Sequence, residues 1–465
     1  MITQNNSLAI TQNYPNRFLK LLASPHSRLY SQSERKERAV IINSKRIHNH
    51  LLASVLAGVE NHLDTRVEAI KKRAAQSQIT NNLQINQIIE ALYDSHFRKQ
   101  QHFGPSKEEV VKKISIAISK QEPINLVGMM FTRKNICPLK RGDGDETVTD
   151  FAEIFSLVHL NSFAALISKF YPLGVNYIIL SEGKRYAKAF DYSIEKAIKY
   201  RKNLDYWVKQ LKLDHLFVID YEDFLSKKLS HEESLFRQEC YQEELELYKK
   251  LMMPILKLTD TNELIQQAIT LDPKNDPFNP EKNFIPLWRS ILNSLPYEFL
   301  QAYAEKKGES YDHVYLNFFK DLLSVRQNSE EENVRQQIIK KSWEATIEHN
   351  AKEAGDAKAK IDAAALIGPS TFRTTINPRP GSCLGVYTTR ETSARIQPWH
   401  GTGFLETDRS GRLTTTVLSR IELESIGAVP IHIENYYSSP FCYATHEAVA
   451  VLKSSSDIVF NASTR

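Results

Sequence analysis

Cysteine is scarce in this chain, and its cysteines form no CxxC pair. The four thiols are widely separated, at Cys137, Cys240, Cys383 and Cys442. Such spacing fits neither a disulfide framework nor a structural zinc site, so reduced thiols are expected. Long apolar runs are also missing, because none approaches the roughly 18 residues that a membrane span needs. The start has no basic segment followed by an apolar one. We therefore expect a cytoplasmic protein without a membrane partner.

Charge of one sign is not in large excess. Lysine and arginine number 60, aspartate and glutamate 55, and the formal net charge is +5 over 465 residues. This balance gives no reason to expect a nucleic-acid partner, and most basic residues should lie on the solvated surface. A hydrophobic fraction of 42% is typical of a globular protein. The length allows two to three domains at about 150 residues each.

Composition divides the chain into three segments. Residues 1–80 are polar, with a helical pattern in part, and we expect an N-terminal extension there. We assign residues 81–365 to an α/β catalytic domain with a helical insertion, and residues 366–465 to a C-terminal β-rich unit that completes the active site. An apolar stripe at helical spacing opens the second segment. It consists of Ile85, Ile88, Ile89 and Leu92.

From residue 123 onward, short apolar runs alternate with amphipathic stretches. Strands are predicted at 124–131, 175–180 and 216–219, and helices at 148–171 and 193–211. This alternation is typical of an α/β fold with a largely parallel, Rossmann-like sheet and flanking helices. Ligands of such open sheets bind beyond the carboxyl ends of the strands. The loops after the three strands are therefore the first places to look for a site.

The rest of the chain is helical and then β-rich by pattern. Residues 221–365 are mostly helical, and the charged run 330–353 is interpreted as a solvated helix face. After residue 367, short alternating segments with glycine, proline and threonine predict a small β-rich unit. Its predicted strands are 372–376, 384–388, 403–405, 413–418 and 428–433.

One stretch resembles a nucleophile elbow. Gly381 to Gly385 has the required small-residue spacing, with Cys383 in the nucleophile position and His400 and Asp408 downstream. An elbow lies between a strand and a helix, whereas this glycine pair lies between two β-like runs, where a turn is typical. We favour the turn, and a hydrolase is the alternative.

Four cations follow the first predicted strand within nine residues. They are Arg133, Lys134, Lys140 and Arg141. At the ligand-binding edge they favour an anion such as phosphate or carboxylate, because arginine binds two oxygens at once and lysine acts as a movable charge. A desolvated lysine can instead act as an amine toward carbonyls. A solvated basic loop is the competing interpretation.

Polar residues also end the next two predicted strands. Glu182 follows the second strand and can serve as an acid or a base. Asp220 ends the third strand, and site chemistry and capping of the next helix are equally good interpretations of it.

The C-terminal segment adds further candidates. Arg373 and Arg379 are suited to phosphate or carboxylate, and Trp399 with His400 brings an aromatic ring and a titratable group nearby in sequence.

Together these residues resemble the pyoverdine/dityrosine biosynthesis family, the isonitrile (isocyanide) synthases. The resemblance covers roughly residues 83–448, and the order and spacing of its blocks argue against chance agreement. In chain order the blocks are Arg133-Lys134-Asn135, Pro138-Leu139-Lys140, Asp150-Phe151-Ala152-Glu153, Tyr171-Pro172-Leu173-Gly174, Ser181-Glu182-Gly183-Lys184, Phe372 to Pro378, and Pro398-Trp399-His400.

The resemblance implies an enzyme of secondary metabolism. It implies conversion of the α-amino group of an aromatic amino acid, typically tyrosine or tryptophan, to an isonitrile whose carbon comes from C2 of ribulose 5-phosphate. That sugar phosphate is a co-substrate, and no metal or redox cofactor is implied. A functional link to an iron/2-oxoglutarate-dependent oxygenase, which acts on the product, is also implied.

On this hypothesis the candidate residues have two kinds of role. The acid/base and amine candidates are Lys134, Lys140, Asp150, Glu153, Glu182 and His400. The residues expected to bind phosphate, carboxylate or the aryl group are Arg133, Arg141, Lys184, Arg185, Arg373, Arg379, Tyr186 and Trp399. Phosphate or carboxylate binding is the alternative role for the two lysines of the first group.

The chain departs from the family pattern at three positions, in two of these blocks. Glu182 and Lys184 stand where the family has aspartate and arginine, and Asn377 stands where it has histidine. Glutamate in place of aspartate at position 182 moves the carboxylate by about one methylene. Lysine in place of arginine at position 184 lacks the bidentate geometry of the guanidinium group. A different substrate is therefore one alternative. The others are a related enzyme that forms an N-formyl amino acid and a non-catalytic protein that binds a phosphorylated metabolite.

Overall fold

A computed structural model of the chain describes most of its length. The described residues are 30, 32–42, 63–98, 104–134, 146–190, 192–260, 263–265, 267, 284, 288, 291–292, 297–309, 314, 329–376, 383–389, 397–409, 411–433 and 441–454.

Helices and strands alternate through the described residues. The helices are α1 Gln32–Arg38, α2 Leu83–Leu92, α3 Lys107–Lys120, α4 Phe151–Ser168, α5 Gly183–Tyr186, α6 Ile194–Gln210, α7 Tyr221–Lys228, α8 His231–Leu258, α9 Tyr297–Lys307, α10 Ser329–Lys358, α11 Ala363–Ile367, α12 Arg420–Ser425 and α13 His446–Ser454. Residues 63–76 are also helical, and a 3-10 helix spans Pro398–His400. The strands are β1 Val40–Ile42, β2 Ile124–Met129, β3 Val175–Ser181, β4 Leu216–Asp220, β5 Thr371–Thr375, β6 Cys383–Gly385, β7 Thr402–Thr407, β8 Leu413–Leu418, β9 Val429–Ile433 and β10 Cys442–Ala444.

The first sheet is parallel throughout, with strand order β4-β3-β2-β5-β6. Its central strands are short apolar runs because helices cover both faces, as is usual for parallel sheets. Ile124, Leu126 and Tyr177 are fully buried. The parallel α/β sheet predicted from the alternation of apolar runs is confirmed.

The second sheet is mixed, with strand order β1-β9-β10-β7-β8. Strand β1 pairs in parallel with β9, so Val40 lies opposite Ile431. The backbone N–H of Tyr30 also donates to Glu424 Oε2 at 2.6 Å. Part of the predicted N-terminal extension is therefore built into this sheet and its core.

Helix α4 lies between the two sheets. It packs against β3 and β4 on one side and against β7 and β8 on the other. Gly403 of β7 permits this approach, because a Cβ there would lie 2.9 Å from the ring of Phe151. The helix has the length and hydropathy of a membrane span, but most of its residues are buried inside the protein.

Helices α8 and α10 pack together in the helical insertion. The indole of Trp343 donates to the carbonyl of Met252 at 3.1 Å, which joins the two helices. Ile338, Ile339 and Trp343 are buried on α10. The interpretation of 330–353 as a solvated face is therefore wrong for one side of that helix, whose apolar residues form a core of their own.

The strands cross the boundaries predicted from composition. Strands β5 and β6, which follow residue 366, extend the parallel sheet by pairing β5 with β2. Strand β1, which precedes residue 80, pairs with β9. The C-terminal β-rich unit thus shares its strands between both sheets.

Candidate functional site

A cavity of about 270 Å³ lies at the carboxyl edge of the parallel sheet. We call it the sheet-edge cavity. Its lining comes from the ends of β2, β3 and β5, and from α5, α10, α11 and the 3-10 helix. This is the edge where ligands of open parallel sheets bind.

Six of the residues predicted from sequence line this cavity. They are Arg133, Glu182, Tyr186, Arg373, Trp399 and His400. Arg133 lies in the loop after β2, and Arg373 lies within β5. Glu182 and Tyr186 lie just before and on α5, and Trp399 and His400 lie on the 3-10 helix. Segments far apart in the chain therefore converge on one space.

The backbone after β2 is held in an unusual conformation. Phe131 has a φ of +55°, in the left-handed region that strains a non-glycine residue by about 1–3 kcal/mol. The hydroxyl of Ser181, at the end of β3, donates to the Phe131 carbonyl at 2.9 Å. This bond ties the loop that carries Arg133 to the strand that precedes Glu182.

A close approach at Gly183 completes this arrangement. A Cβ at this position would lie 2.7 Å from the Thr132 carbonyl oxygen and 3.0 Å from the Cβ of Ala197. Only glycine lets α5 come this near to the loop after β2. Glu182 and Arg133 reach the same cavity as a result.

Arg185 lies behind the cavity, where its side chain is only 2% exposed. Its guanidinium is 3.3 Å from Glu182 Oε1, 3.3 Å from Glu353 Oε1 and 2.8 Å from Asp356 Oδ2. This guanidinium therefore positions two carboxylates of the cavity. The predicted role in binding a ligand is not the one that this geometry favours.

Tyr186 and Glu353 form a hydrogen-bonded pair in the cavity wall. The Tyr186 hydroxyl donates to Glu353 Oε1 at 2.5 Å. The ring of His349 stacks on the Tyr186 ring at 4.4 Å and an interplanar angle of 7°. Burial and the neighbouring Glu353 carboxylate raise the pKa of Tyr186 well above its usual value, so this phenol stays protonated and its proton stays in the bond to Glu353.

Aromatic rings form another part of the site. Trp399 packs against Phe131 with ring centroids 4.7 Å apart. The Arg133 guanidinium lies 4.8 Å from the centre of the Phe190 ring and 5.7 Å from that of Tyr192, within the range of cation–π interaction. These contacts fix the direction of Arg133.

The far side of the cavity carries a looser ion pair. Arg373 Nη1 lies 3.9 Å from Asp362 Oδ2, and both side chains are about two-fifths exposed. Asp362 also caps α11 by accepting from the N–H of Ala364. In the described part of the chain, no group of three or more His, Cys, Asp or Glu side chains is placed to hold a metal ion.

Three predicted acid/base residues lie outside the cavity lining, at the start of α4. Asp150 and Glu153 form a capping box there, with the Asp150 N–H donating to Glu153 Oε2 at 2.7 Å. Buried Lys134 donates to the Val148 carbonyl and lies 3.6 Å from Glu153. Tyr200 donates to the other oxygen of Glu153 at 2.7 Å. This geometry gives Lys134, Asp150 and Glu153 a structural role.

Lys184 points away from the sheet-edge cavity. Its ammonium is 2.6 Å from Asp223 and 4.0 Å from Asp220. Asp220 caps α7 by accepting from the N–H groups of Glu222 and Asp223. The capping interpretation of Asp220 therefore fits this structure, and burial raises the pKa of its carboxyl group.

Four predicted residues have not yet been placed. Lys140, Arg141 and Arg379 lie outside the described residues. Cys383 lines the cavity but begins strand β6. A nucleophile elbow follows a strand and precedes a helix, so the hydrolase alternative has no support in this geometry.

Sequence reasoning missed several lining residues. They are Phe190, His349, Glu353, Asp362 and Gln397. His349 and Glu353 are four apart on α10, the spacing that places two side chains on one helix face. That spacing could have identified the two residues as neighbours, but they lie in the charged run 330–353, which was interpreted as a solvated helix face.

A wider groove of about 870 Å³ lies elsewhere, beside α2 and α3. It is open and contains none of the residues predicted from sequence. Its cation Arg73 is already paired with Glu90 at 2.9 Å. The sheet-edge cavity is therefore the better candidate.

Similarity to known proteins covers the part of the chain that contains this edge of the sheet. A family model described as "Pyoverdine/dityrosine biosynthesis protein" matches residues 114–278, which include β2, β3 and the loops that carry Arg133 and Glu182. No curated protein matches the chain. The solved structures similar to it include the crystal structure of the PvcA protein from Pseudomonas aeruginosa, which is 18% identical in sequence. The match covers 78% of this chain and 99% of PvcA, with a TM-score of 0.48.

Proposed function

We propose a function on the premise that this chain belongs, through residues 114–278, to the pyoverdine/dityrosine biosynthesis family. That membership supports a biosynthetic role. The specific proposal is an isonitrile synthase that acts on an aromatic amino acid and ribulose 5-phosphate in the sheet-edge cavity, without a metal or redox cofactor. A cytoplasmic location and an iron/2-oxoglutarate-dependent oxygenase as consumer of the product belong to the same proposal.

The supporting observation is that groups of both charges line one cavity. Arg133 and Arg373 provide guanidinium groups, which suit phosphate and carboxylate. Glu182 and Glu353 provide carboxylates, which suit an ammonium group. An amino acid and a sugar phosphate together carry one ammonium and two anionic groups, so their charges complement this lining.

The aromatic side chains support an aryl substrate. Trp399 lies in the lining, is buried and has a fixed ring position against Phe131. Rings of this kind prefer offset or edge contacts with another aromatic ring. We assign the aryl group to the space beside Trp399 and the stacked pair of Tyr186 and His349.

The first chemical step follows from these assignments. The substrate amine must lose a proton, attack the ketone carbon C2 of the sugar phosphate and release water to give an imine. Each transfer needs an acid or a base within hydrogen-bond reach. We assign Glu182 to the ammonium proton and the Tyr186–Glu353 pair to the carbonyl oxygen. His400 is the candidate for later transfers that accompany carbon–carbon cleavage.

The test is mass spectrometry of products from the purified protein with ribulose 5-phosphate labelled with carbon-13 at C2. The twenty amino acids are supplied as a mixture, and isonitriles are trapped with a tetrazine. A labelled isonitrile supports the proposal and identifies the substrate. A labelled formamide would replace it with the formylating alternative. If no labelled product forms, although the protein is folded and still binds ribulose 5-phosphate, the metabolite-binding alternative is favoured.

A further inference from the structure

A series of ion pairs leads from the wall of the sheet-edge cavity to helix α8. Arg185 Nη2 lies 3.3 Å from Oε1 of Glu353, the same oxygen that accepts the Tyr186 hydrogen bond. The same nitrogen lies 2.8 Å from Oδ2 of Asp356. Arg237 of α8 lies 2.6 Å from the other oxygen of Asp356. Arg185 therefore shares one nitrogen between a carboxylate of the cavity and a carboxylate outside the cavity lining.

Both carboxylate oxygens of Asp356 are held in place. The Tyr221 hydroxyl donates to Oδ2 at 2.9 Å, and Arg237 Nε donates to Oδ1 at 2.6 Å. The Tyr221 ring centre lies 4.8 Å from the guanidinium carbon of Arg185 and 5.8 Å from that of Arg237, within the range of cation–π interaction. These contacts keep Asp356 against Arg185.

Arg237 is itself fixed by a bidentate ion pair. It donates to the two oxygens of Glu222 at 2.7 Å and 2.9 Å, a geometry that restricts the direction of a guanidinium group. Glu222 lies in the first turn of α7, directly after strand β4. The Arg237 side chain is only 20% exposed, so solvent and salt screen these pairs less than pairs on the open surface.

The position of Arg185 depends on this second guanidinium group. With Arg237 in place, the negative charge of Asp356 acts on two cations, one on each side. Without Arg237, that charge acts more strongly on Arg185 and draws Nη2 away from Glu353. A displacement of about 1 Å in a catalytic group can lower a rate about 10²-fold.

We propose that Asp356 and Arg237 are positioning residues that hold the Glu353 carboxylate for proton transfer, acting through Arg185. The inference rests on the proposed function, because Glu353 takes part in turnover only if the cavity catalyses that reaction. It gives helix α8 a part in the reaction, although no residue of that helix lies among the described lining of the cavity.

The test is the kinetics of isonitrile formation from C2-labelled ribulose 5-phosphate, with rates expressed per folded protein as measured by circular dichroism. Arg237→Met should lower kcat about tenfold or more and leave KM for both substrates within about twofold of wild type, because the groups assigned to substrate binding are unchanged. Arg237→Lys keeps the charge but loses the fork geometry, so its kcat should be at least about threefold above that of Arg237→Met.

Asp356→Asn decides the question if Arg237→Met does not fold. This variant keeps the shape of the side chain and removes its charge, which releases Arg185 Nη2 toward Glu353. We expect kcat to fall about tenfold in this case as well, with KM within about twofold of wild type.

Lys358→Met is the matched control. Lys358 of α10 lies 2.8 Å from Glu243 and 3.2 Å from Glu244, both on α8, so it joins the same two helices outside this network. The control loses an ion pair between α8 and α10 but leaves Arg185 and Asp356 in place. It should keep the wild-type kcat.

A double-mutant cycle separates positioning from support of the fold. In a Glu353→Gln background, Arg237→Met should lower kcat by less than about threefold, because the carboxylate that it positions is already absent. A purely structural role would give the same loss in both backgrounds.

The outcomes also separate this inference from the proposed function. A wild type that forms no labelled product would overturn both. Where the wild type is active, three results would overturn the inference alone: an Arg237→Met enzyme as fast as wild type, a Lys358→Met enzyme as slow as Arg237→Met, or an undiminished effect of Arg237→Met in the Glu353→Gln background.

Discussion

The hydroxyl of Tyr186 donates a 2.5 Å hydrogen bond to Oε1 of Glu353, which joins residues 167 positions apart in the chain. Tyr186 ends a helix that follows a strand of the parallel sheet, and Glu353 belongs to the helical insertion. The bond therefore makes the insertion a wall of the sheet-edge cavity. Arg185 lies against the same carboxylate at 3.3 Å and holds it in place.

Replacing Glu353 should reduce turnover more than binding. Glu353→Gln removes the charged acceptor of the Tyr186 proton but keeps the shape of the side chain, so we expect a loss in kcat of about 10²-fold or more with little change in ligand affinity. The measurement is the rate of labelled product formation. Glu344→Gln, exposed on the same helix, should retain the wild-type rate. An unaltered kcat in Glu353→Gln would remove this residue from the mechanism.

Removing Arg185 should destabilise the fold. Arg185→Met leaves the carboxylates of Glu182, Glu353 and Asp356 without their common partner, while Asp356 keeps another cation, Arg237. Breaking a buried ion pair in this way lowers the free energy of unfolding by about 3–5 kcal/mol. Urea unfolding measures the loss, and exposed Arg409→Met is the control with no comparable effect. A loss within about 0.5 kcal/mol would contradict the bridging role.

A methyl group at position 183 should separate the two loops of the site. Gly183→Ala places a Cβ 2.7 Å from the Thr132 carbonyl oxygen, so backbone must move. We expect an unfolding free energy lower by about 1–3 kcal/mol and a higher KM for the phosphorylated substrate, because Glu182 and Arg133 move apart. Gly104→Ala is the matched control, since its Cβ would meet only the end of Arg98 at 3.6 Å. Equal unfolding free energies and equal KM values in the two variants would show that the close approach at Gly183 does not position the site.

His159 should make the protein sensitive to acid. Burial, with the charge of Arg66, lowers the pKa of His159 to about 3. The unfolded chain binds that proton at a pKa of about 6.5. Below about pH 6.5 the unfolded state holds a proton that the folded state excludes, so stability is lost by about 1.4 kcal/mol per pH unit as pH falls.

The variant His159→Phe removes that group and suits a site where Phe97 lies 4.8 Å away. Urea unfolding at about pH 7 and about pH 5 should show that wild type loses about 2 kcal/mol more than the variant between the two values. Exposed His231→Asn should keep the wild-type difference. Equal losses in wild type and His159→Phe would mean that His159 is charged in the fold.

The sequence was sufficient to predict the parallel sheet and the edge that carries the site. Short apolar runs separated by amphipathic helices specify buried parallel strands, and topology then places the residues after them together. Arg133 and Glu182 could be found for this reason. The pairing of β5 with β2 could not, because a strand partner far away in the chain leaves no local pattern.

Two signals in the sequence point to roles that the sequence analysis did not assign. Asp150 and Glu153 have the three-residue spacing of a capping box before an apolar helix. In the structure they form that capping box at the start of α4. His349 and Glu353 lie in a charged run, where composition alone suggests solvent. Their position in the cavity wall depends on packing between α8, α10 and the sheet edge, which only the tertiary structure specifies.

On the proposed function, an amino acid and ribulose 5-phosphate react in the sheet-edge cavity with Glu182 as a base. The most direct measurement is the initial rate of isonitrile formation from C2-labelled ribulose 5-phosphate by wild type, Glu182→Gln and the exposed control Glu195→Gln. We expect Glu182→Gln to lose about 10²-fold or more in turnover while it still binds both substrates, and Glu195→Gln to keep the wild-type rate. A Glu182→Gln enzyme as fast as wild type would contradict it.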